Sequence, residues 1–239
     1  MKIIIVMPAY QAAKTITSVF ERIPKNIYKN IYKIVIVNDG STDNLNKVVK
    51  KLNKRYQKIK LVEHKKNKGY GAAQKTGFNE VLKMDGDIGV LLHSDGQYPP
   101  ELLQKLLKPL ETRKADVVLG SRIMGKKALK GGMPLYKYIG NKTLTYLENL
   151  AYGMNISEYH TGYMLYSKKA LTKIPFNKLS NTFHFDGEMT MMSGNKKLRI
   201  KEIPIPTTYA NEVSYLNPIT YGLNVLKIIW KYKTGKYNF

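Results

Sequence analysis

"YKIVIVNDGSTDNLNKVVKKLNKRY", residues 32–56, changes pattern twice. Ile34–Val37 is an unbroken β-branched run, as in a strand buried on both faces. Residues 38–43, Asn-Asp-Gly-Ser-Thr-Asp, are turn chemistry. From there Leu45, Val48, Val49 and Leu52 fall on one face of a helix. A buried strand, a polar turn and an amphipathic helix form the unit from which a parallel sheet covered by helices is built.

The unit recurs in both directions. Upstream, "KIIIVMPAY" (2–10) reads as a strand, and "QAAKTITSVFERIPK" (11–25) sets Ile16, Val19, Phe20 and Ile23 at helical spacing. Downstream come a strand in "IKLVEH" (59–64) and a glycine-rich turn into a helix in "KNKGYGAAQKTGFNEVLKM" (66–84). A strand in "DIGVLLHSD" (87–95), a helix with Pro in its first turn in "PPELLQKLLKPLE" (99–111) and a strand in "ADVVLGSR" (115–122) follow. The expectation is an α/β fold with a mainly parallel central sheet flanked by helices. Ligands of such sheets bind beyond the carboxyl ends of the strands. That is where "PAY", "NDGSTD", "HSDGQ" and "GSR" fall.

The second half is less regular. Residues 125–160 lack strand signals, and Leu144, Leu147 and Leu150 are expected to form a buried edge. "HTGYMLYSKKAL", "FHFDGEMTMMSG" and "LRIKEIPIPTTY" are expected to complete the sheet and close over the site. In "PITYGLNVLKIIWKYKTGKYNF" (218–239), Val225, Ile228, Ile229 and Tyr232 form a stripe beside Lys227, Lys231 and Lys233. This segment reads either as a helix packed on the domain or as a basic amphipathic helix on a membrane surface. The chain is divided as one domain over 1–210 and a C-terminal amphipathic basic helix and tail over 211–239.

Of the 239 residues, 43% are hydrophobic, enough for a sizeable core and against disorder. There is no cysteine, which removes disulfides, thiolate metal sites and cysteine nucleophiles and is compatible with a reducing cytoplasm. Lys and Arg total 40 against 17 Asp and Glu, a net charge of +23. The excess is either a solvated lysine-rich surface or a match for an anionic partner. No nucleic-acid motif accompanies it, so no nucleic-acid partner is expected. No signal peptide is visible, and the longest stretch without a charge, 213–226, contains Asn, Ser, Thr and Pro. A membrane span needs roughly 20 mainly apolar residues.

"VMPAYQAAKTI", "IVIVNDGSTDNL", "NKGYGAAQKTGF", "LLHSDGQYPPELL", "VVLGSR", "GGMPLYKYIGNKTL", "SEYHTGYMLYS" and "KEIPIP" stand in this order over about residues 3–206. Together they resemble the family 2 glycosyltransferases with the Rossmann-like GT-A fold, within them the branch of dolichol-phosphate mannose synthase-like and polyprenyl-phosphate glycosyltransferases. The resemblance implies an inverting glycosyltransferase that moves a hexose from a UDP- or GDP-sugar. The acceptor is a polyprenyl or dolichyl phosphate or a cell-envelope glycan. It implies a cytoplasmic protein, peripheral on the inner face of the cell membrane in the lipid-acceptor case, and leaves the oligomeric state open. The alternative is a non-catalytic nucleotide- or polyanion-binding protein on the same fold.

Residue by residue, the resemblance makes Pro8, Ala9 and Tyr10 nucleotide contacts. Gln11-Ala12 stands where family members often carry Asn-Glu. Asp39 matches the Asp that pairs with the base, and Asp43 caps the next helix. Gly69 and Gly71 are positions where backbone approaches the ligand at a helix N-terminus. Lys75 reads as a surface lysine or a phosphate contact. The family's Asp-X-Asp motif, which holds Mg²⁺ or Mn²⁺ against the diphosphate, appears as His93-Ser94-Asp95. Alternate residues of an extended chain point the same way, so His93, Asp95 and Gln97 are expected to converge as metal ligands. An imidazole in the set suits Mn²⁺. Arg122 is placed near the active site as a phosphate support. His160, Thr161 and Gly162 belong to the acceptor-side loop, with Met164 where synthases show Arg. Asp186 is the candidate base, needed only for a hydroxyl acceptor, or else a helix cap.

Overall fold

A computed structural model describes residues 1–126, 128–207 and 217–239. Seven strands form one sheet: β1 (Ile3–Ala9), β2 (Ile31–Asn38), β3 (Ile59–Glu63), β4 (Ile88–Leu91), β5 (Val117–Ser121), β6 (Met164–Ser167) and β7 (Ile200–Pro204). Their order is β3-β2-β1-β4-β6-β5-β7. All pairings are parallel except those of β6, which runs antiparallel to β4 and β5. This is the expected mainly parallel α/β architecture.

The helices are α1 (Ile16–Arg22), α2 (Lys25–Asn30), α3 (Leu45–Tyr56), α4 (Tyr70–Lys83) and α5 (Leu103–Glu111) in the first half. The second half adds α6 (Leu135–Tyr152), α7 (Lys168–Lys173), α8 (Phe185–Asn195) and α9 (Pro218–Lys233). Side chains of β1 alternate between two cores. Ile3, Ile5 and Met7 join α1, α3 and α5 on one face; Ile4 and Val6 join Ala73, Phe78 and Val81 of α4 on the other. A strand buried on both faces must be apolar throughout, which is why its sequence shows no alternation. Each such aliphatic side chain contributes roughly 1.5–3 kcal/mol by burial.

Topology places the site. The chain moves from β1 outward through β2 to β3, then returns to β4 on the other side of β1. The connections therefore leave the sheet in opposite directions at the carboxyl ends of β1 and β4, which opens a crevice there. Pro8–Tyr10 and Leu92–Gln97 line that edge.

Three expectations are corrected. The fourth strand stops at Leu91, and residues 94–95 are in a turn. Leu147 and Leu150 do not form a buried edge: they are 36% and 62% exposed, because the inward face of α6 is set by Thr145 and Glu148. Asp186 does not cap α8, since it lies inside that helix and His184 holds the capping position. The expected boundary at residue 210 lies outside the described residues. Among the described residues, no helix is long and apolar enough to cross a membrane.

Candidate active site

Asp95 sits in a turn closed by its own Oδ1, which accepts from Gln97 N at 3.0 Å, with Gly96 at φ +83°. Two side chains fix that turn. Ser94 Oγ donates to Pro8 O at 2.9 Å and ties the end of β4 to the end of β1. Arg22, at the end of α1, donates to Gly96 O at 3.0 Å while paired with Glu101. The Asp95 side chain is left half exposed, and its Oδ2 lies 4.0 Å from His93 Nδ1. His93 and Asp95 therefore converge, but through a turn and not through strand alternation. That correction matters for Gln97: its backbone N–H is spent on the turn, and strand geometry no longer aims its side chain with the other two.

The other edge of the His93 ring sets its tautomer. Tyr70, the first residue of α4, donates its hydroxyl proton to Asp186 Oδ2 at 2.7 Å. The same hydroxyl oxygen lies 2.7 Å from His93 Nε2. A phenol has one proton. With that proton directed at Asp186, the phenol oxygen is left to accept from His93 Nε2, and a ring so held turns Nδ1 toward Asp95. Gln74 Nε2, one turn along α4, donates to Asp186 Oδ1 at 2.8 Å. Both oxygens of Asp186 are thus engaged and only 7% of the residue is exposed. Burial pushes the Asp186 carboxyl up, against the pull of His93 and the two donors. It pushes the Tyr70 phenol well up too. Asp186 is placed as an anchor for Tyr70.

The 158–162 loop closes on the same ring. A Cβ on Gly162 would lie 2.6 Å from His93 Cε1 and 3.1 Å from the Tyr70 hydroxyl. Only glycine leaves room for both rings. Gly162 N donates to Tyr98 OH at 2.7 Å, and Tyr98 packs edge-on against His93 with centroids 5.0 Å apart. Burial raises the Tyr98 phenol to about 12, so it stays a neutral partner. Thr161 is buried with its hydroxyl on Gly120 O, at the end of β5, at 2.6 Å. His160 turns inward: Nε2 lies 3.1 Å from Glu148 Oε2 on α6, and Nδ1 lies 2.9 Å from the Tyr221 hydroxyl on α9.

Arg122 is committed to protein. It donates through Nε to Glu158 Oε1 at 2.9 Å and through a terminal nitrogen to the same oxygen and to His160 O, the last at 2.6 Å. Glu158 is fully buried; burial pushes its carboxyl up, Arg122 more than offsets this, and the net shift is downward. A guanidinium paired with a buried carboxylate holds the 158–160 loop.

On the other flank, Asp39 is buried with both oxygens in use. Oδ1 meets His64 Nδ1 at 2.6 Å and Lys68 N at 2.9 Å, and Oδ2 accepts from Gly69 N at 2.9 Å. Gly69 has φ +101°, and a Cβ there would lie 2.4 Å from Asn181 O. Gly71 donates to that oxygen at 2.9 Å, and a Cβ on it would lie 2.6 Å from Ser180 O. The close approach at both glycines is therefore to the chain's own 180–181 segment. Lys75 is not a surface lysine: it is half-buried and bonds Leu179 O and, at 2.8 Å, Asn181 Oδ1, and burial lowers its ammonium. Pro8 and Ala9 end β1, Tyr10 beyond them is 52% exposed at the crevice, and Ala12 is in the core. Asp43 does not hold the capping position of α3, which is Asn44; from one residue earlier it accepts from Leu45 N at 3.2 Å and from Ala13 N at 2.8 Å.

Tyr70, Gln74, Tyr98, Glu158 and His64 were not singled out from the sequence. Tyr70 and Gln74 carried a signal: two polar groups four apart, hence on one face, in the otherwise apolar start of α4. The partners of the other three come from distant segments.

These residues fit a divalent ion only in part. Among the described residues, no group of three His, Cys, Asp or Glu side chains could hold a metal. The pair present is an imidazole nitrogen and an exposed carboxylate. That donor set suits Mn²⁺ if substrate phosphate completes the shell, as is usual where protein supplies one or two ligands.

The model of glycosyl transferase family 2 matches residues 4–174. The chain is 32% identical to a UDP-N-acetylglucosamine–dolichyl-phosphate N-acetylglucosaminyltransferase of Methanococcus voltae, over 98% of this chain and 97% of that protein. It is 26% identical to a dolichol-phosphate mannosyltransferase of Pyrococcus furiosus, over 85% of this chain and 56% of that one. Among solved structures, glucosyl-3-phosphoglycerate synthase of Mycobacterium tuberculosis, in complex with Mn²⁺, UDP and phosphoglyceric acid, superposes with a TM-score of 0.70. That match covers 98% of this chain and 78% of that one at 16% identity, a likeness of fold.

Proposed function

Because the chain belongs to glycosyl transferase family 2 and is a glycosyltransferase of the GT-A fold, we propose that it transfers a sugar from a UDP- or GDP-sugar to a polyprenyl phosphate. The products are a polyprenyl phosphosugar and the nucleoside diphosphate. A single displacement is favoured: a phosphate oxygen of the acceptor attacks the anomeric carbon as the bond to the diphosphate oxygen breaks on the opposite face, inverting that carbon.

The observation that carries this reading is the state of the carboxylates. Asp39, Glu148, Glu158 and Asp186 are each buried and already paired, and Asp95 is exposed beside His93 Nδ1. The four buried ones face donors or His160 inside the protein, and Asp95, the exposed one, is the carboxylate this reading gives to the ion. A lipid phosphate is ionised before it arrives and needs no base. The whole-chain similarity to an enzyme named for a dolichyl-phosphate acceptor points the same way.

Tyr10 and the crevice beyond β1 receive the nucleotide. Asp39 holds the 67–69 turn, and so the wall of that crevice, in shape. Gly162 brings the acceptor loop against His93. His93 and Asp95 would hold a divalent ion, Mn²⁺ or Mg²⁺. When bound it supplies positive charge to the leaving diphosphate. Tyr70, anchored by Asp186, keeps Nδ1 of His93 turned toward that place.

The test is transfer of labelled sugar from a panel of UDP- and GDP-sugars to polyprenyl phosphate in detergent, with Mn²⁺. The reading expects label in the organic phase for one donor. Label appearing only on added glycan or hydroxyl acceptors would reject the phosphate acceptor.

A further inference from the structure

We infer that the outer face of α9, with the exposed face of α6 beside it, docks on an anionic lipid bilayer; this rests on the lipid-phosphate reading of the acceptor. Helix α9 carries two apolar stripes. Tyr221, Val225, Ile228 and Tyr232 face the protein: Val225 is 3% exposed, and Tyr232 packs edge-on against Tyr152 of α6 with centroids 4.8 Å apart. Ile219, Leu223, Leu226 and Trp230, spaced four, three and four, share the other face and are 44–76% exposed. On α6, which packs on α9, Tyr136, Ile139, Tyr146 and Leu150 are 54–63% exposed. Large aliphatic side chains in such a pattern mark an interaction surface.

Charge selects the occupant. Residues 217–239 contain four lysines and no carboxylate side chain. Residues 134–153 contain two lysines and one acid, Glu148, which is turned inward against His160. Within these two segments the exposed apolar stripes are thus bordered by lysines, with no exposed carboxylate side chain. A second copy using the same patch in a two-fold interface would set like charges against each other. Nucleic acid would meet the lysines but leave Ile219, Leu223 and Leu226 without an apolar partner. A bilayer with anionic head groups takes both: the stripe enters the head-group boundary, with a Trp at that level, and the lysines meet the lipid charges.

The position suits the reaction. Tyr221, on the inner face of α9, lies 2.9 Å from His160 of the acceptor loop and stacks on His184 with centroids 4.5 Å apart. A bilayer under the outer face is one helix diameter, about 10 Å, from that loop.

Trp230 is the chain's single Trp, so its fluorescence reports this face alone. The experiment uses the full chain and vesicles without polyprenyl phosphate, either pure phosphatidylcholine or mixed with phosphatidylglycerol. The expected result is co-sedimentation with a blue shift of Trp230, at least tenfold stronger on the anionic vesicles. The double variant Leu223→Glu/Leu226→Glu, at exposed positions, should weaken binding at least tenfold and leave donor binding unchanged. No co-sedimentation, co-sedimentation with Trp230 emission unshifted, or full binding by the double variant would overturn the inference. So would a concentration-dependent blue shift without vesicles accompanied by dimerisation, which would give the face to a second copy. Docking without transfer in the detergent assay would reject the acceptor reading and leave the surface standing. Transfer in detergent without docking would do the reverse.

Discussion

At the scale of the residue, the His93 ring is held between two demands. Its Nε2 is tied through Tyr70 to Asp186, and its Nδ1 faces Asp95. If Asp186 were a base, Asp186→Asn would lower kcat at saturating metal. If it anchors Tyr70, Asp186→Asn and Tyr70→Phe should each weaken Mn²⁺ binding roughly 10- to 100-fold, as loss of a partner to a metal-binding His does. In that case kcat at saturating Mn²⁺ stays within a few-fold; titration of Mn²⁺ by its paramagnetic signal, beside the steady-state rates, separates the two. Gly162→Ala puts a methyl 2.6 Å from His93 Cε1. The expected outcome is a folded protein, destabilised by about 1–3 kcal/mol, in which His93 is displaced and Mn²⁺ binding is lost. Wild-type affinity in that variant would show that the ring position does not matter. Little of this was legible in the sequence. The spacing of His93 and Asp95 suggested a shared ligand, but the turn that joins them depends on Ser94, Arg22 and Gly96. The Tyr70–Asp186 contact spans 116 positions, and no local pattern encodes it.

At the scale of the element, α4 is the pivot. Its first two turns hold Tyr70 and Gln74, its glycines admit the 180–181 segment, and Lys75 ties that segment down. The sequence made these glycines look like ligand contacts, because a glycine needed for a ligand and one needed for the chain's own backbone leave the same trace. Gly71→Ala, with its Cβ 2.6 Å from Ser180 O and 2.8 Å from Phe185 Cβ, should cost about 1–3 kcal/mol and loosen the anchor of Asp186. Denaturant unfolding and amide exchange over 179–186 would show it; unchanged exchange there would contradict it. At the distal end of the sheet, Asp116 precedes β5 and pairs with Arg199, before β7, and with Lys169. Hydrogen bonding from Arg199 holds its carboxyl well below the usual carboxylate range. A depressed carboxylate stabilises the fold above its ordinary pKa, near 4, and that contribution is lost as pH falls through the folded value. Asp116→Asn should therefore cost about 2 kcal/mol at neutral pH, roughly 4–8 °C in Tm, with the gap to wild type closing toward pH 2. A gap constant from pH 7 to 2 would show that the effect is not one of charge.

At the scale of the whole molecule, the succession of strands along the chain was legible where buried β-branched runs alternate with amphipathic helices, which is the part that forms β1–β5. It was less legible beyond residue 125, where the exposed apolar side chains of α6 resemble core positions in the sequence. Leu147 and Leu150 were expected inside for that reason. The same surplus of exposed apolar side chains, bordered by lysine, is what α6 and α9 present beside the 158–162 loop. In the proposed reading these parts form one chemical centre: His93 and Asp95, just beyond β4, would hold a divalent ion jointly with the donor diphosphate. The most direct measurement is calorimetric titration of UDP- and GDP-sugars in Mn²⁺, in Mg²⁺ and in chelator, for the natural chain, His93→Ala and Asp95→Ala. Tight binding of one donor in Mn²⁺, weaker by at least tenfold in chelator and in both variants, is the result predicted. Donor binding that ignores chelator and survives both substitutions would contradict it.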